Sequence, residues 1–166
     1  MIKADIYNLE ERRRKEIAAT MHIQIRSYKD RVARGTILFL QDKKEVPFCG
    51  LDQMCMIAEE YMDENGVFEE IAPYHNICPD AICRNWKEYQ EEMKTMPVYG
   101  YPQKFAVRVI TRGNQSLQGE LRVGDKKCYF RSGMELMRLM HQWLQVKFES
   151  PVNQVDLLKR PRKYTC

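Results

Sequence analysis

Hydrophobic residues recur at every second position in two stretches of the chain that lie far apart in sequence. The alternating positions are Met21, Ile23 and Ile25 in the first stretch, and Phe105, Val107 and Val109 in the second. A period of two is typical of a strand that buries one face and exposes the other. The pattern therefore predicts two half-buried strands, which begin at Met21 and Phe105.

Each of these strands is followed by the same series of signals. A glycine opens a second alternating strand, an Asp-Lys-Lys turn leads to a short third strand, and that strand ends at a phenylalanine. The matching positions are Gly35 and Gly119, 41–44 and 124–127, and Phe48 and Phe130. Self-similarity in this order predicts a tandem duplication of one β-β-β-α unit, with copies at 21–66 and 105–148.

A helix start is the best-marked signal in each copy. Ser132 and Glu135 have the spacing of a capping box, in which the serine oxygen accepts the amide of Glu135 and the glutamate reaches back to the amide of Ser132. The following apolar positions have helical spacing and comprise Leu136, Met137, Met140, Trp143 and Leu144. Gly50 and Gln53 stand at the matching positions of the first copy, which strengthens the interpretation as a duplication.

The copies account for only part of the chain. We expect an N-terminal helical segment at 1–20, a connecting segment at 67–104 with a helix at about 79–95, and a flexible basic tail at 149–166. A single unit of this size buries too little surface to be stable alone. The two copies are therefore expected to form one α+β fold of antiparallel sheets, with helices packed on one face and a pseudo-twofold axis between the copies.

Composition narrows the class of protein. Of 166 residues, 44% are hydrophobic and 30% are charged, which is ordinary for a globular domain. The longest apolar run, 37–40, is far too short for a membrane helix, and the first residues lack the core of a signal peptide. We therefore expect a cytoplasmic protein without membrane contact. Its six cysteines are then expected to be reduced thiols that pack as small apolar residues.

Candidate catalytic chemistry is sparse. His75, Cys78 and Cys83 could supply three zinc ligands, but no second close cysteine pair completes a site, and packed thiols explain these residues more simply. Phosphate-binding glycine loops and the common hydrolase signatures do not occur in the sequence. We therefore expect no enzyme activity, cofactor or metal. A small zinc-binding or cysteine-dependent enzyme stays open as an alternative.

Arginine on the strands suggests another kind of site. If helices cover one face of the sheet, alternation places Gln24, Arg26, Arg108 and Arg122 on the other face, where they could contact phosphates. Arg112 and Arg131 add to the positive charge of the second copy. The net charge of +4 permits nucleic-acid binding without implying it.

The second copy also resembles a known group of proteins. The stretch 105–119 contains an Arg-x-Asn-x-Ser-x-Gln-Gly motif that begins at Arg112, and 129–140 contains Phe-Arg-Ser followed by a Glu-Leu helix. This combination resembles a group of small uncharacterised proteins of clostridial-type bacteria, in which tryptophan often stands at the position of Leu117. The resemblance implies a bacterial source and a mobile-element or phage context. It implies no particular activity.

Together these observations favour a non-enzymatic protein that binds another macromolecule. Our leading hypothesis is a mobile-element or phage-encoded inhibitor of a host defence nuclease complex, similar in role to an anti-CRISPR protein. The partner would then be a protein or a protein–nucleic-acid complex. Direct binding of RNA or DNA through the arginine-bearing sheet face is the main alternative. An exposed strand edge on either copy would also permit a homodimer.

Overall fold

The computed structural model describes residues 2–68, 102–113 and 116–149, and side chains from residue 8 to residue 148 within these ranges. The described ranges contain three α-helices and six β-strands, and the third helix runs into a π-helical segment at Gln145–Glu149. The elements are α1 (Ile2–Ala18), β1 (Thr20–Lys29), β2 (Val32–Phe39), β3 (Glu45–Cys49), α2 (Leu51–Glu64), β4 (Gln103–Thr111), β5 (Gln118–Val123), β6 (Lys126–Phe130) and α3 (Gly133–Leu144).

All six strands form one antiparallel sheet in the order β3-β2-β1-β4-β5-β6. The expected α+β class with antiparallel strands is therefore confirmed, although the strands form a single sheet. We call residues 20–64 the N-terminal half and residues 103–149 the C-terminal half. Each half contributes three strands and one helix, and the halves meet where β1 pairs with β4.

Glycine occupies the same register in both halves. Gly35 pairs with Ile25 and Gly119 pairs with Val109, and a bulge in the first strand follows each pair. A Cβ atom on Gly35 would lie 2.0 Å from a backbone carbonyl oxygen of β1, and one on Gly119 would lie 2.1 Å from a carbonyl oxygen of β4. Glycine is needed at both positions because the neighbouring backbone leaves no room for a side chain.

The hydrophobic core lies between the sheet and two of its helices. Helices α2 and α3 contact each other, and their buried residues join one cluster with the inward-facing strand residues. The largest fully buried side chains in that cluster include Met21, Ile23, Phe39, Phe48, Phe105, Leu121 and Phe130. None of the helices in the described ranges is long and apolar enough to cross a membrane.

The capping prediction is half correct. The Ser132 hydroxyl accepts a hydrogen bond of 3.1 Å from the Glu135 amide, as expected, but the Glu135 carboxylate accepts from the Arg131 amide at 2.7 Å instead of from Ser132. The N-terminal half repeats this bond, because the Cys49 amide donates to Gln53 Oε1 at 2.6 Å. In each half, the residue before the helix cap is therefore tied to the first turn of the helix.

Polar side chains also link the two halves. The Tyr28 hydroxyl, near the end of β1, forms a hydrogen bond of 2.9 Å with His141 Nδ1 on α3. Arg112, immediately after β4, forms an ion pair with Asp63 near the end of α2. The first strand of each half is thus linked to the helix of the other half.

Several sequence-based predictions fall elsewhere in the chain. The predicted helix at about 79–95, the basic tail beyond residue 149, and His75, Cys78 and Cys83 all lie outside the described residues. Helix α1 lies within the predicted N-terminal segment 1–20, and its described side chains up to Ile17 are exposed.

Candidate recognition surface

The sheet face opposite α2 and α3 is here called the outer face. Alternation along the strands places Gln24, Arg26, Arg108 and Arg122 on this face, as the sequence predicted, because their neighbours in each strand point into the core. A shallow groove of about 460 Å³ crosses its centre, where β1 meets β4. The groove is lined by His22, Gln24, Leu38, Lys104, Ala106 and Arg122, together with backbone of neighbouring residues.

A buried carboxylate organises the C-terminal part of the outer face. Glu120 is only 3% exposed, and it accepts bonds from Lys127, whose Nζ lies 2.7 Å from Oε2, and from Arg122. The hydrogen bond from Lys127 lowers the pKa of Glu120 below its ordinary value, although burial opposes this shift. The same bond raises the pKa of Lys127. The ionised carboxylate of Glu120 therefore holds the cationic groups of Lys127 and Arg122 at the surface, and its own charge is compensated by them.

Tyr129 is the exposed aromatic residue of this region. Its cross-strand partner is Glu120, 63% of its surface is accessible, and the Nζ of Lys127 lies 5.1 Å from its ring centre. Tyr129 was not among the binding residues predicted from the sequence. The parity of β6 could have revealed it, because a buried Phe130 requires its neighbour Tyr129 to face outward.

The N-terminal part of the outer face differs in charge and exposure. Arg26 is paired with Glu45 at 3.7 Å, while Thr36 and Pro47 on the neighbouring strands are buried. In the C-terminal half, the outer face carries four cationic residues, of which Arg122 and Lys127 are bonded to Glu120 and Arg108 is its cross-strand partner. They are Lys104, Arg108, Arg122 and Lys127, and all four are exposed.

The two remaining predicted binding residues have partners on helices. Arg112 is only 6% exposed and is paired with Asp63, so it belongs to the contact between the halves. Arg131 is exposed, but its Nε lies 3.3 Å from Glu135 Oε2 beside the start of α3. The structure brings neither residue together with the groove.

Burial disfavours the thiolate form of two described cysteines, Cys55 and Cys128. Burial is the main cause that raises the pKa of Cys55 to about 12, and nearby Glu59 and Asp52 add to it. Burial also raises the pKa of Cys128. Within the described ranges, no three histidine, cysteine, aspartate or glutamate residues are grouped to hold a metal ion.

Comparison of the chain with known protein families, curated proteins and solved structures gave no match. The function therefore has to be inferred from the surface itself. A cluster of exposed cations around a satisfied carboxylate, next to an exposed aromatic ring, is suited to binding a polyanion that also carries flat rings.

Proposed function

We propose that this chain is a non-enzymatic binding protein that holds single-stranded nucleic acid on the C-terminal part of its outer face. The observation that carries the proposal is the group formed by Lys104, Arg108, Arg122 and Lys127, which we call the basic cluster. Among the described strand residues of this half, Glu120 is the acidic one, and its carboxylate is already bonded to Arg122 and Lys127. The field above the cluster is therefore positive.

The type of nucleic acid follows from the aromatic residue. Tyr129 exposes its ring on an open sheet, where an unstacked base can lie against it. Bases in a duplex are already stacked on their neighbours and offer no free face. The groove and the basic cluster would then contact the phosphates of the strand on either side of that base.

Charge reversal tests the proposal. Lys104 and Arg108 are exposed and neither forms an ion pair with Glu120 in the described structure, so the double change Lys104→Glu with Arg108→Glu keeps both cationic partners of that carboxylate, Arg122 and Lys127. We expect it to weaken binding of a labelled oligouridylate or oligothymidylate at least about tenfold in fluorescence polarisation. The parent protein should also lose affinity steeply as salt increases.

A matched control separates a local effect from net charge. The change Lys43→Glu with Lys44→Glu alters net charge equally at the β2–β3 turn, away from the basic cluster. We expect it to change affinity less than about threefold. Equal weakening by both double variants, or no binding by the parent at low salt, would contradict the proposal.

The anti-CRISPR-like hypothesis is a specific version of this proposal. A basic face that binds a guide or target strand would block a nuclease complex that needs the same strand. Inhibition of target cleavage by the parent protein, and its loss in the Lys104→Glu, Arg108→Glu variant, would support it. Cleavage that is unaffected by an excess of the parent protein would exclude that version for the complex tested.

We also propose that the two halves arose by tandem duplication and are related by a pseudo-twofold axis. The support is the register of the central pair of strands, where Met21 faces Val107 and Ile23 faces Phe105. Met21 corresponds to Phe105 in the other half, and Ile23 corresponds to Val107. Exchanging the two halves therefore turns the Met21–Val107 pair into the Ile23–Phe105 pair. A chain built from two C-terminal halves should therefore fold into a six-stranded sheet, and failure of that chain to fold would count against the proposal.

A further inference from the structure

The two edge strands of the sheet, β3 and β6, differ in the backbone groups that they present. Gly124 and Asp125 form a two-residue turn, which makes Val123 and Lys126 a hydrogen-bonded pair. Alternation along an antiparallel ladder then directs the N–H and C=O groups of Lys127 and Tyr129 away from β5. In the described ranges, no hydrogen bond is made by the backbone of these two residues on that side.

The edge of β3 is closed at the matching positions. Phe48 pairs with Gly35 as Phe130 pairs with Gly119, so Pro47 is the counterpart of Tyr129. Proline has no N–H group, whereas Tyr129 keeps its own. The next outward amides, those of Cys49 and Arg131, are alike occupied by Gln53 and Glu135. An added strand therefore finds a donor at this register on β6 and none on β3.

The side chains that flank β6 are cationic and aromatic on both faces of the sheet. Lys127 and Tyr129 lie on the outer face. On the inner side, Lys126 and Lys147 have their Nζ atoms 5.4 and 5.0 Å from the ring centre of Trp143. Acidic side chains on an added strand would find a positive partner on either face.

We propose that the edge of β6 binds an extended, acidic segment of a partner protein, which adds to the sheet as a seventh strand. This site adjoins the nucleic-acid site and shares the side chains of Lys127 and Tyr129 with it, but it differs in using the outward backbone groups of β6. Charge argues against a second copy of this chain as the occupant. Pairing β6 with itself would add the lysines of a second copy to an edge that already carries Lys126 and Lys127, with no acidic residue in either strand to offset them.

A short peptide of alternating glutamate and valine provides the probe. We expect it to bind the full chain saturably, and the amides of Lys127 and Tyr129 to become protected from hydrogen exchange in NMR spectra of the complex. Tyr129→Pro removes one of the two N–H groups and should weaken binding about tenfold or more. Pro47 shows that an edge strand of this sheet tolerates proline at the matching register.

Tyr129→Ala is the matched control because it removes the ring and keeps the N–H group. We expect it to change peptide affinity less than about threefold, but to weaken binding of single-stranded nucleic acid by a larger factor. Lys126→Glu keeps the backbone and the Lys127–Glu120 ion pair unchanged and should weaken binding of the acidic peptide, which provides a test if Tyr129→Pro does not fold.

Three results would overturn the inference. The first is the absence of peptide binding, and the second is equal affinity for a lysine–valine peptide of the same length. The third is a dimer in light scattering that Tyr129→Pro dissociates, because a second copy would then occupy the edge. Loss of nucleic-acid binding with peptide binding intact would count only against the function proposed above.

Discussion

Gly35 and Gly119 occupy the same register in the two halves, and a side chain at either position would collide with the neighbouring backbone. Pro47 and Tyr129 also share a register, but proline has no N–H group to offer an added strand and tyrosine has one. The glycines sit beside a bulge that the paired strands require. Pro47 and Tyr129 lie on the two edge strands of the described sheet, each of which pairs with one described neighbour. The halves therefore agree where the backbone is crowded and differ where it is free.

The two halves also differ in charge at matching positions. Cys49 and Arg131 both donate an amide hydrogen to the first turn of a helix, but the acceptor is neutral Gln53 in one half and ionised Glu135 in the other. The outer face of the N-terminal half pairs Arg26 with Glu45, whereas that of the C-terminal half carries the basic cluster. One backbone plan thus supports two different surfaces.

The largest effect is expected from alanine at either crowded glycine. Gly35→Ala and Gly119→Ala each place a methyl group about 2 Å from a carbonyl oxygen, so the strands must move apart. We expect each change to lower the free energy of unfolding by about 3 kcal/mol in urea denaturation. Because the crowding is the same in both halves, the two losses should be similar.

Gly66→Ala serves as the comparison for that experiment. Nothing lies within 4 Å of the added methyl group, and only the positive φ of 58° opposes it. We expect a loss of about 1 kcal/mol. If Gly35→Ala or Gly119→Ala cost no more than Gly66→Ala, the proposed equivalence of the two bulges would be wrong.

The contacts that cross between the halves should differ in strength. Asp63→Ala leaves the buried guanidinium of Arg112 without that carboxylate, and we expect a loss of about 2 kcal/mol. The value is below that of a fully buried pair because Asp63 is half exposed. Tyr28→Phe removes one hydrogen bond to His141 and should cost about 1 kcal/mol. Thermal or urea unfolding measures both, and a larger loss for Tyr28→Phe would reverse this ranking.

The cap of α2 should contribute less. Gln53→Ala removes the acceptor of the Cys49 amide, which water can partly replace because Cys49 is exposed. We expect a loss of about 0.5–1 kcal/mol in urea unfolding. Gln53→Glu restores an acceptor and adds charge at a helix N-terminus, so it should be at least as stable as the parent at neutral pH. A Gln53→Glu protein less stable than Gln53→Ala would contradict this role.

The smallest expected effect is on the loss of stability at low pH. The bonds from Lys127 lower the pKa of Glu120, and those from the amide and side chain of Arg131 lower the pKa of Glu135. Both pKa values lie below the ordinary 4.5, so the stabilisation is complete above that pH and is lost as pH falls through the folded-state values. Glu120→Gln and Glu135→Gln should therefore each flatten the fall in melting temperature between neutral pH and about pH 3.

Hydrogen exchange can locate that effect. Both carboxylates lie in the C-terminal half, so amides of β5 and β6 should lose protection before those of β2 and β3 as pH falls. Loss of protection first in the N-terminal half would show that other groups control the response to acid.

Much of the fold could be predicted from the sequence because its signals are local. Alternation along β1 and β4, the glycines of the bulges and the Ser132 cap each depend on residues close together in the chain. The outward positions of Gln24, Arg26, Arg108 and Arg122 followed from the same alternation.

The rest depends on contacts between distant residues. Nothing local indicates that Arg112 would be buried against Asp63, 49 positions earlier in the chain. The joining of six strands into one sheet likewise depends on the pairing of β1 with β4. The capping motif predicted that the Glu135 carboxylate would accept from the Ser132 amide, but it accepts from the Arg131 amide, one residue earlier. The motif alone does not specify the backbone path from β6 into α3.

The pairing of β1 with β4 also has a consequence for assembly. Both strands are rich in buried apolar residues, and they belong to different halves of the chain. The C-terminal half of one molecule can therefore dock on the N-terminal half of another with the same contacts. Concentrated protein that refolds quickly should therefore yield some exchanged dimers, in which every strand keeps its native neighbours while the halves come from different chains.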